Sequence, residues 1–248
     1  MLAPQTVRAV DAYWAGDLGC TPDAFRSTAP VVLPHGAGWA DYTGAYVMRL
    51  NGAAPVLSLP PEHLDRFGPP LAAAARDGLA ADGRWAEILG PLLERTVGPA
   101  WIGYASADTL RNPVSHAEIR PLTPGDAPLV ERLLAACPPA DLEQVATLPD
   151  APVAVGAVVG GELAAICGYE VWGGTIAHLS VFTHAGHRGG GIGRAVVSAA
   201  ARTALEHGLV PQYRVLETNA ASRAVADALG FERYATSLAL RFHPSPAE

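Results

Sequence analysis

A chain of 248 residues, half of them hydrophobic, can bury one large core or two smaller ones, and two domains is the expectation. A formal charge of −7 excludes a general electrostatic attraction to nucleic acid or an anionic membrane, so any anion must be gripped locally. The 17 basic residues are all arginine, and the cysteines Cys20, Cys137 and Cys167 lack CxxC spacing, which predicts reduced thiols in a cytoplasm.

The N-terminal "MLAPQTVRAVDAYWAGD" has no basic start followed by an apolar run, so no secretory signal is read there. The most apolar long stretch, Ala151 to Tyr169, is broken by Gly160, Gly161 and Glu162 and cannot be a membrane span. "YVMRL", Asn51-Gly52 and "AAPVLSL" predict a hairpin. An alanine-rich helix to about Ala81, a second helix and the strand-like "PAWIGYA" follow, together a small α+β domain over 1–115. The polar "SADTLRNPVSH", near 106 to 116, is read as the linker.

The second domain, 116–248, starts with "AEIRPLTPGDAPLVERLLAAC", a strand, a Pro/Gly turn and an amphipathic helix from near Asp126. From Val153, β-branched segments joined by two Gly-Gly pairs predict a three-strand antiparallel meander. A glycine loop leads into a helix with Ile192, Ala195, Val196, Ala199 and Thr203 on one face and Gly208 as its stop. "YRVLE", a helix capped by Asn219 with Ala221, Ala224, Val225, Ala228 and Leu229 buried, and the strand "YATSLALRF" complete the chain.

The loop "HRGGGIGR" holds four glycines between two arginines. Successive backbone N–H groups at a helix start suit a phosphate or diphosphate, and glycine lets its oxygens approach. A P-loop would need a following Lys-Ser/Thr, and a dinucleotide loop would follow the first strand of a βαβ unit; neither holds here.

"HRGGGIG" resembles the R-x-x-G-x-G signature of the GNAT N-acetyltransferase superfamily, with Arg188, Gly191 and Gly193 at the signature positions. The opening "IRPLTPGD", the meander, the loop and helix, and the closing Asn219, Ser222, Leu229, Gly230 and Phe231 extend the resemblance over about 118–242. The resemblance implies an α/β fold with a mixed twisted sheet whose fourth and fifth strands, "TIAHLSVFTH" and "YRVLE", splay apart. It implies acetyl-CoA as co-substrate, with the pantetheine arm along Val181, Phe182 and Thr183 and the diphosphate on Arg188, Gly189, Gly190, Gly191, Ile192, Gly193 and Arg194. Asn219 matches a position that meets the pantetheine, and as an N-cap it has a second reading.

The tyrosine that many members place seven residues after the Asn is Ala226 here. Ser222 stands at the position where other branches carry a serine, as the acid or as part of the cap. Glu170 and His178, with Glu217, are candidate bases, groove-lining or structural residues. His178, His184 and His187 lack a completing Cys or carboxylate, so no metal is expected. The resulting expectation is a cytoplasmic N-acetyltransferase for a small-molecule or peptide amine, without nucleic-acid or membrane partners, and admitting a homodimer. The alternatives are a non-catalytic acyl-CoA sensor or scaffold and a nucleotide-binding module. The first hundred residues would shape the acceptor groove or a subunit contact.

Overall fold

The computed structural model describes residues 2–138, 148 and 151–244. The chain divides into two compact units that interleave in sequence. The hairpin unit comprises Val7–Ile102, Val215–Asn219 and Arg233–Glu248, and the meander unit Met1–Thr6, Gly103–Arg214 and Ala220–Glu232. A single cut at 115/116 is therefore not how the chain partitions by contact.

The hairpin unit carries most of helix α1 (Pro4–Leu18) and helices α2 (Leu64–Asp77) and α3 (Arg84–Leu89). Its strands are β1 (Val31–Pro34), β2 (Gly44–Leu50), β3 (Val56–Leu59), most of β4 (Leu93–Tyr104) and most of β10 (Glu232–Phe242). β2 and β3 form the Asn51-Gly52 hairpin, with Gly52 at φ 78°, the left-handed value such a turn needs. β1 extends it in parallel beyond β3, and β10 pairs antiparallel with β2 from Ala235–Leu50 to Arg241–Gly44. The last strand thus belongs here, not in the domain that precedes it in sequence. Leu238, Leu240 and Phe242 alternate on β10 and join Val47, Leu57, Leu71 and Trp85 in one core. On the other face, Tyr46 stacks on Trp14 at 5.8 Å and meets Trp39 edge-on at 4.7 Å.

The meander unit holds β5 (Glu118–Pro121), β6 (Val153–Val159), β7 (Glu162–Trp172), β8 (Ile176–Thr183) and most of β9 (Val210–Leu216). Its helices are α4 (Ala127–Ala135), α5 (Ile192–Glu206) and α6 (Ala220–Leu229). β5 to β8 are successively antiparallel, and β8 and β9 are parallel, so the sheet is mixed. Both Gly-Gly turns have positive φ at each glycine: Gly160 and Gly161 at 59° and 85°, Gly173 and Gly174 at 54° and 65°. Leu133, Leu163, Ile166 and Phe182 form the core beneath α4.

Two expectations about faces are corrected. α5 buries Val197, Ser198, Ala200, Ala201 and Ala204 besides Ala195 and Val196, so most of its circumference is covered and no single stripe describes it. On α6, Ala221 and Ala224 are exposed, whereas Ala226 and Leu229 are buried and Ser222 is partly so. Alanine gives little signal for which face turns inward, and a rotation of the stripe goes unnoticed in an alanine-rich segment.

The expected linker is likewise pinned within the meander unit. Arg111 N–H donates to Leu229 O (2.9 Å), and Arg111 O accepts from Ser198 Oγ (2.9 Å). Arg202 reaches Asn112 Oδ1 at 3.0 Å, and a Cβ on Gly230 would collide with the Thr109 carbonyl.

Candidate functional site

The ladder between β8 and β9 comprises three pairs, Ile176–Val210, Ala177–Pro211 and His178–Gln212. Beyond them β8 continues to Thr183 and β9 runs on through Tyr213 and Arg214 outside the ladder, so a cleft opens from Leu179 and Tyr213 onward. His184 N–H donates to Ala164 O on the β7 side. Strand hydrogen bonds alternate in direction, so the amides and carbonyls of Leu179, Val181 and Thr183 face the opposite edge, toward β9. Phe182 differs from its neighbours: it pairs with Ile166 on β7 and is buried in the core under α4.

After β8 a short 3-10 turn, Ala185–His187, leads to the glycine loop. Arg188 Nε donates to Thr183 O (3.1 Å), tying the loop to the strand end while the residue stays exposed. Gly189 and Gly191 adopt φ 83° and 81°, in the left-handed region that favours glycine. Gly189 and Gly190 have open space where a Cβ would stand, so packing does not explain the missing side chains there. Gly193 does have a packing reason, since a Cβ would come within 2.9 Å of Thr183 Oγ1. Gly191 precedes α5 without a side-chain cap, so the Ile192, Gly193 and Arg194 amides carry the helix's positive end. Arg194 is exposed beside them.

Ser222, in the first turn of α6, meets the Tyr213 hydroxyl at 2.8 Å. Tyr213 is the first β9 residue past the ladder. It is 3% exposed and packs against Phe231 at 5.4 Å. Burial, only partly offset by Ser222, pushes its phenol up to about 12, so it stays protonated. The sequence reading missed Tyr213; its position one residue past the register end is the signal, visible only once the strands are paired.

A second cluster lies on the α4 side of the sheet. Trp172 lies flat on His178, 3.9 Å between centroids and 16° from parallel, and its Nε1 donates to Glu170 Oε2 at 3.1 Å. His178 Nδ1 lies 2.8 Å from Gln212 Oε1. Burial, helped by Arg214 and opposed by Gln212 and Glu170, lowers the imidazole to about 4, so it is neutral near pH 7. The structure thus brings Glu170 and His178 together and sets Ser222 apart with Tyr213. Glu217 is paired with Arg233 in the hairpin unit, where Asn219 also lies, its N–H donating to Leu216 O at 2.9 Å. His184 Nδ1 accepts from Gly186 N–H at 3.2 Å, and no metal-holding group of three or more His, Cys, Asp or Glu occurs among the described residues. No helix there is long and apolar enough to cross a membrane.

Residues 126–231 match the family model described as "Acetyltransferase (GNAT) family". No curated protein matches the chain. Among solved structures, an acetyltransferase from the GNAT family from Colwellia psychrerythraea is 13% identical with a TM-score of 0.55, covering 98% of each chain. An acetyltransferase of the same family from Novosphingobium aromaticivorans DSM 12444 is 21% identical with a TM-score of 0.48 over 59% of this chain, which spans 65% of that protein. The aminoglycoside N-acetyltransferase AAC(6')-Iy, in complex with CoA, is 20% identical with a TM-score of 0.35, over 50% of this chain and 93% of that one. The family-model match marks a GNAT acetyltransferase domain at residues 126–231, the stretch that holds the loop at 188–193 and the β8–β9 ladder.

Proposed function

We propose that the chain is a cytoplasmic N-acetyltransferase that moves the acetyl group of acetyl-CoA directly to a primary amine of a small molecule or peptide. The observation that carries this reading is the cleft between β8 and β9, with its unpaired strand edge, opening beside an uncapped helix start whose glycines leave room for a ligand. The chain's residues fit an extended amide-bearing ligand ending in a diphosphate. The free edge at Val181 and Thr183 offers main-chain partners to the pantetheine, and Phe182 supports that edge from the core. The amides from Arg188 to Arg194 hold the diphosphate, with the two guanidiniums beside it.

The thioester supplies an activated carbonyl. The protein must stabilise the oxygen of that carbonyl, accept a proton from the attacking nitrogen and return one to the departing sulfur. Main-chain N–H groups on the free edge of β8 serve the first need. His178, beside Glu170, serves the second. Ser222 serves the third, its hydroxyl coupled to the protonated Tyr213.

The test is to mix the protein with labelled acetyl-CoA and a panel of amines and follow thiol release and label transfer. Transfer to one or more amines is the expected result. Tight CoA binding with no transfer to any would favour the sensor reading, which Ala226 supports by standing, fully buried, where a tyrosine acid would be.

A further inference from the structure

Two buried groups stand behind His178. Gln212 on β9 and Tyr104 at the end of β4 are both 0% exposed. The Gln212 carboxamide bridges them: its Nε2 donates to the Tyr104 hydroxyl at 2.6 Å, and its Oε1 lies 2.8 Å from His178 Nδ1. A carboxamide oxygen can only accept, so in this arrangement His178 Nδ1 carries the proton. Nε2 then keeps the ring's one lone pair, and it has no hydrogen-bond partner among the described residues. The Trp172 ring laid against the imidazole fixes its plane, so that lone pair has a set direction.

We propose that Gln212 and Tyr104 are positioning residues for acyl transfer, holding His178 as its Nδ1–H tautomer so that Nε2 receives the proton of the acceptor amine. This rests on the transferase reading above. As the new N–C bond forms and the C–S bond breaks, the nitrogen becomes strongly acidic. Its proton passes to Nε2, giving an imidazolium that returns the proton to solvent, while the departing sulfur takes one from Ser222, whose oxygen, only partly buried, recovers a proton from solvent. Among the described residues, three charged or titratable groups bear on the ring: Glu170 from β7, Arg214 from β9, and Tyr104 through Gln212. Glu170 favours the imidazolium, and Arg214 and burial oppose it.

A base of this kind relieves a nitrogen already bonding to carbon but does not strip a free ammonium. The acceptor must arrive neutral. Near pH 7 that favours amines such as peptide α-amines, with pKa about 7.7 to 8.0, over lysine-type amines near 10.4. The acceptor class inferred is therefore a low-pKa primary amine.

The test uses the full chain labelled with 15N-histidine, the His178 signals being identified by their loss in His178→Gln. At pH 6 to 7 and without any ligand, wild type should show a neutral ring protonated on Nδ1. Gln212→Leu should release it to a mixture of tautomers, and Gln212→Glu should raise the midpoint of ring protonation by about 1 to 3 pH units. With an amine from the panel that is turned over, Gln212→Leu should lower kcat about tenfold and leave the KM for acetyl-CoA within twofold. Tyr104→Phe should do the same more weakly, and the acidic limb of the rate profile should move up in Gln212→Glu. Protonation on Nε2 in wild type, as a reversed carboxamide would impose, overturns the proposal. So does a rate profile unmoved by Gln212→Glu. Absence of transfer to any amine sinks the transferase reading instead, while the tautomer measurement still reports on the geometry by itself.

Discussion

Replacing Gly191 by Asp and, separately, by Asn distinguishes a diphosphate cradle from a turn that only joins a strand to a helix. Gly191 sits at φ 81°, where L-residues cost about 1 to 2 kcal/mol and Asn and Asp are tolerated best. Its Cβ would come 3.1 Å from the end of the Arg194 side chain, a flexible group that can move aside. Both variants should therefore fold, each losing about 1 kcal/mol, or about 2 to 4 °C in Tm for a chain of this size. They differ in one charge. A carboxylate about 5 Å from a bound phosphate oxygen costs about 3 kcal/mol at an effective dielectric near 20, and exposure of the loop cuts this to roughly half. That difference corresponds to about a tenfold higher KM for acetyl-CoA in Gly191→Asp than in Gly191→Asn. The assay is steady-state thiol release with acetyl-CoA varied, or calorimetric binding of CoA, on variants whose melting curves match. KM values within twofold of each other would refute the cradle at these amides.

Ser222→Ala should lower kcat by about ten- to a hundredfold with little change in KM for acetyl-CoA, and Tyr213→Phe should fall between it and wild type; equal rates in all three would remove the hydroxyl pair from the chemistry. Gly230→Ala should lose about 2 kcal/mol or more in urea unfolding, because it combines φ 83° with a collision against the Thr109 carbonyl; wild-type stability would mean that 106–112 does not lie as described. His178, with a folded-state value of about 4 below an unfolded value near 6.5, binds its proton more readily in the unfolded chain. Its contribution to stability is thus full above about pH 6.5 and falls as pH drops toward 4, and His178→Gln should flatten that slope in unfolding midpoints measured across the window.

Local chemistry made the C-terminal half readable. Gly-Gly pairs between β-branched runs can do little but turn hairpins, and Gly160, Gly161, Gly173 and Gly174 do so with left-handed φ at each. Surplus glycines flanked by arginines before a helix point to an anion whichever sheet holds the strand. The pairing of Glu170 with His178 was not visible in the same way. They lie eight positions apart in sequence, and only the β7–β8 register sets them opposite each other, where Trp172 can cover one and donate to the other. The helix α1 and strand β1 were not anticipated, the latter because a four-residue apolar run carries too little periodicity to identify itself.

By itself the sequence determined the elements whose signal lies within a few residues: the meander, the glycine loop, the α5 start and the absence of a tyrosine at Ala226. Tertiary structure alone decided what depends on partners distant in the chain. It paired β10 with β2, ended the β8–β9 ladder at Gln212 so that Tyr213 stands at the cleft, and turned Ser222 inward to meet it. The physical reason is that backbone dihedrals and side-chain periodicity are local, whereas strand register and helix rotation are chosen by the packing of surfaces that sequence order does not bring together.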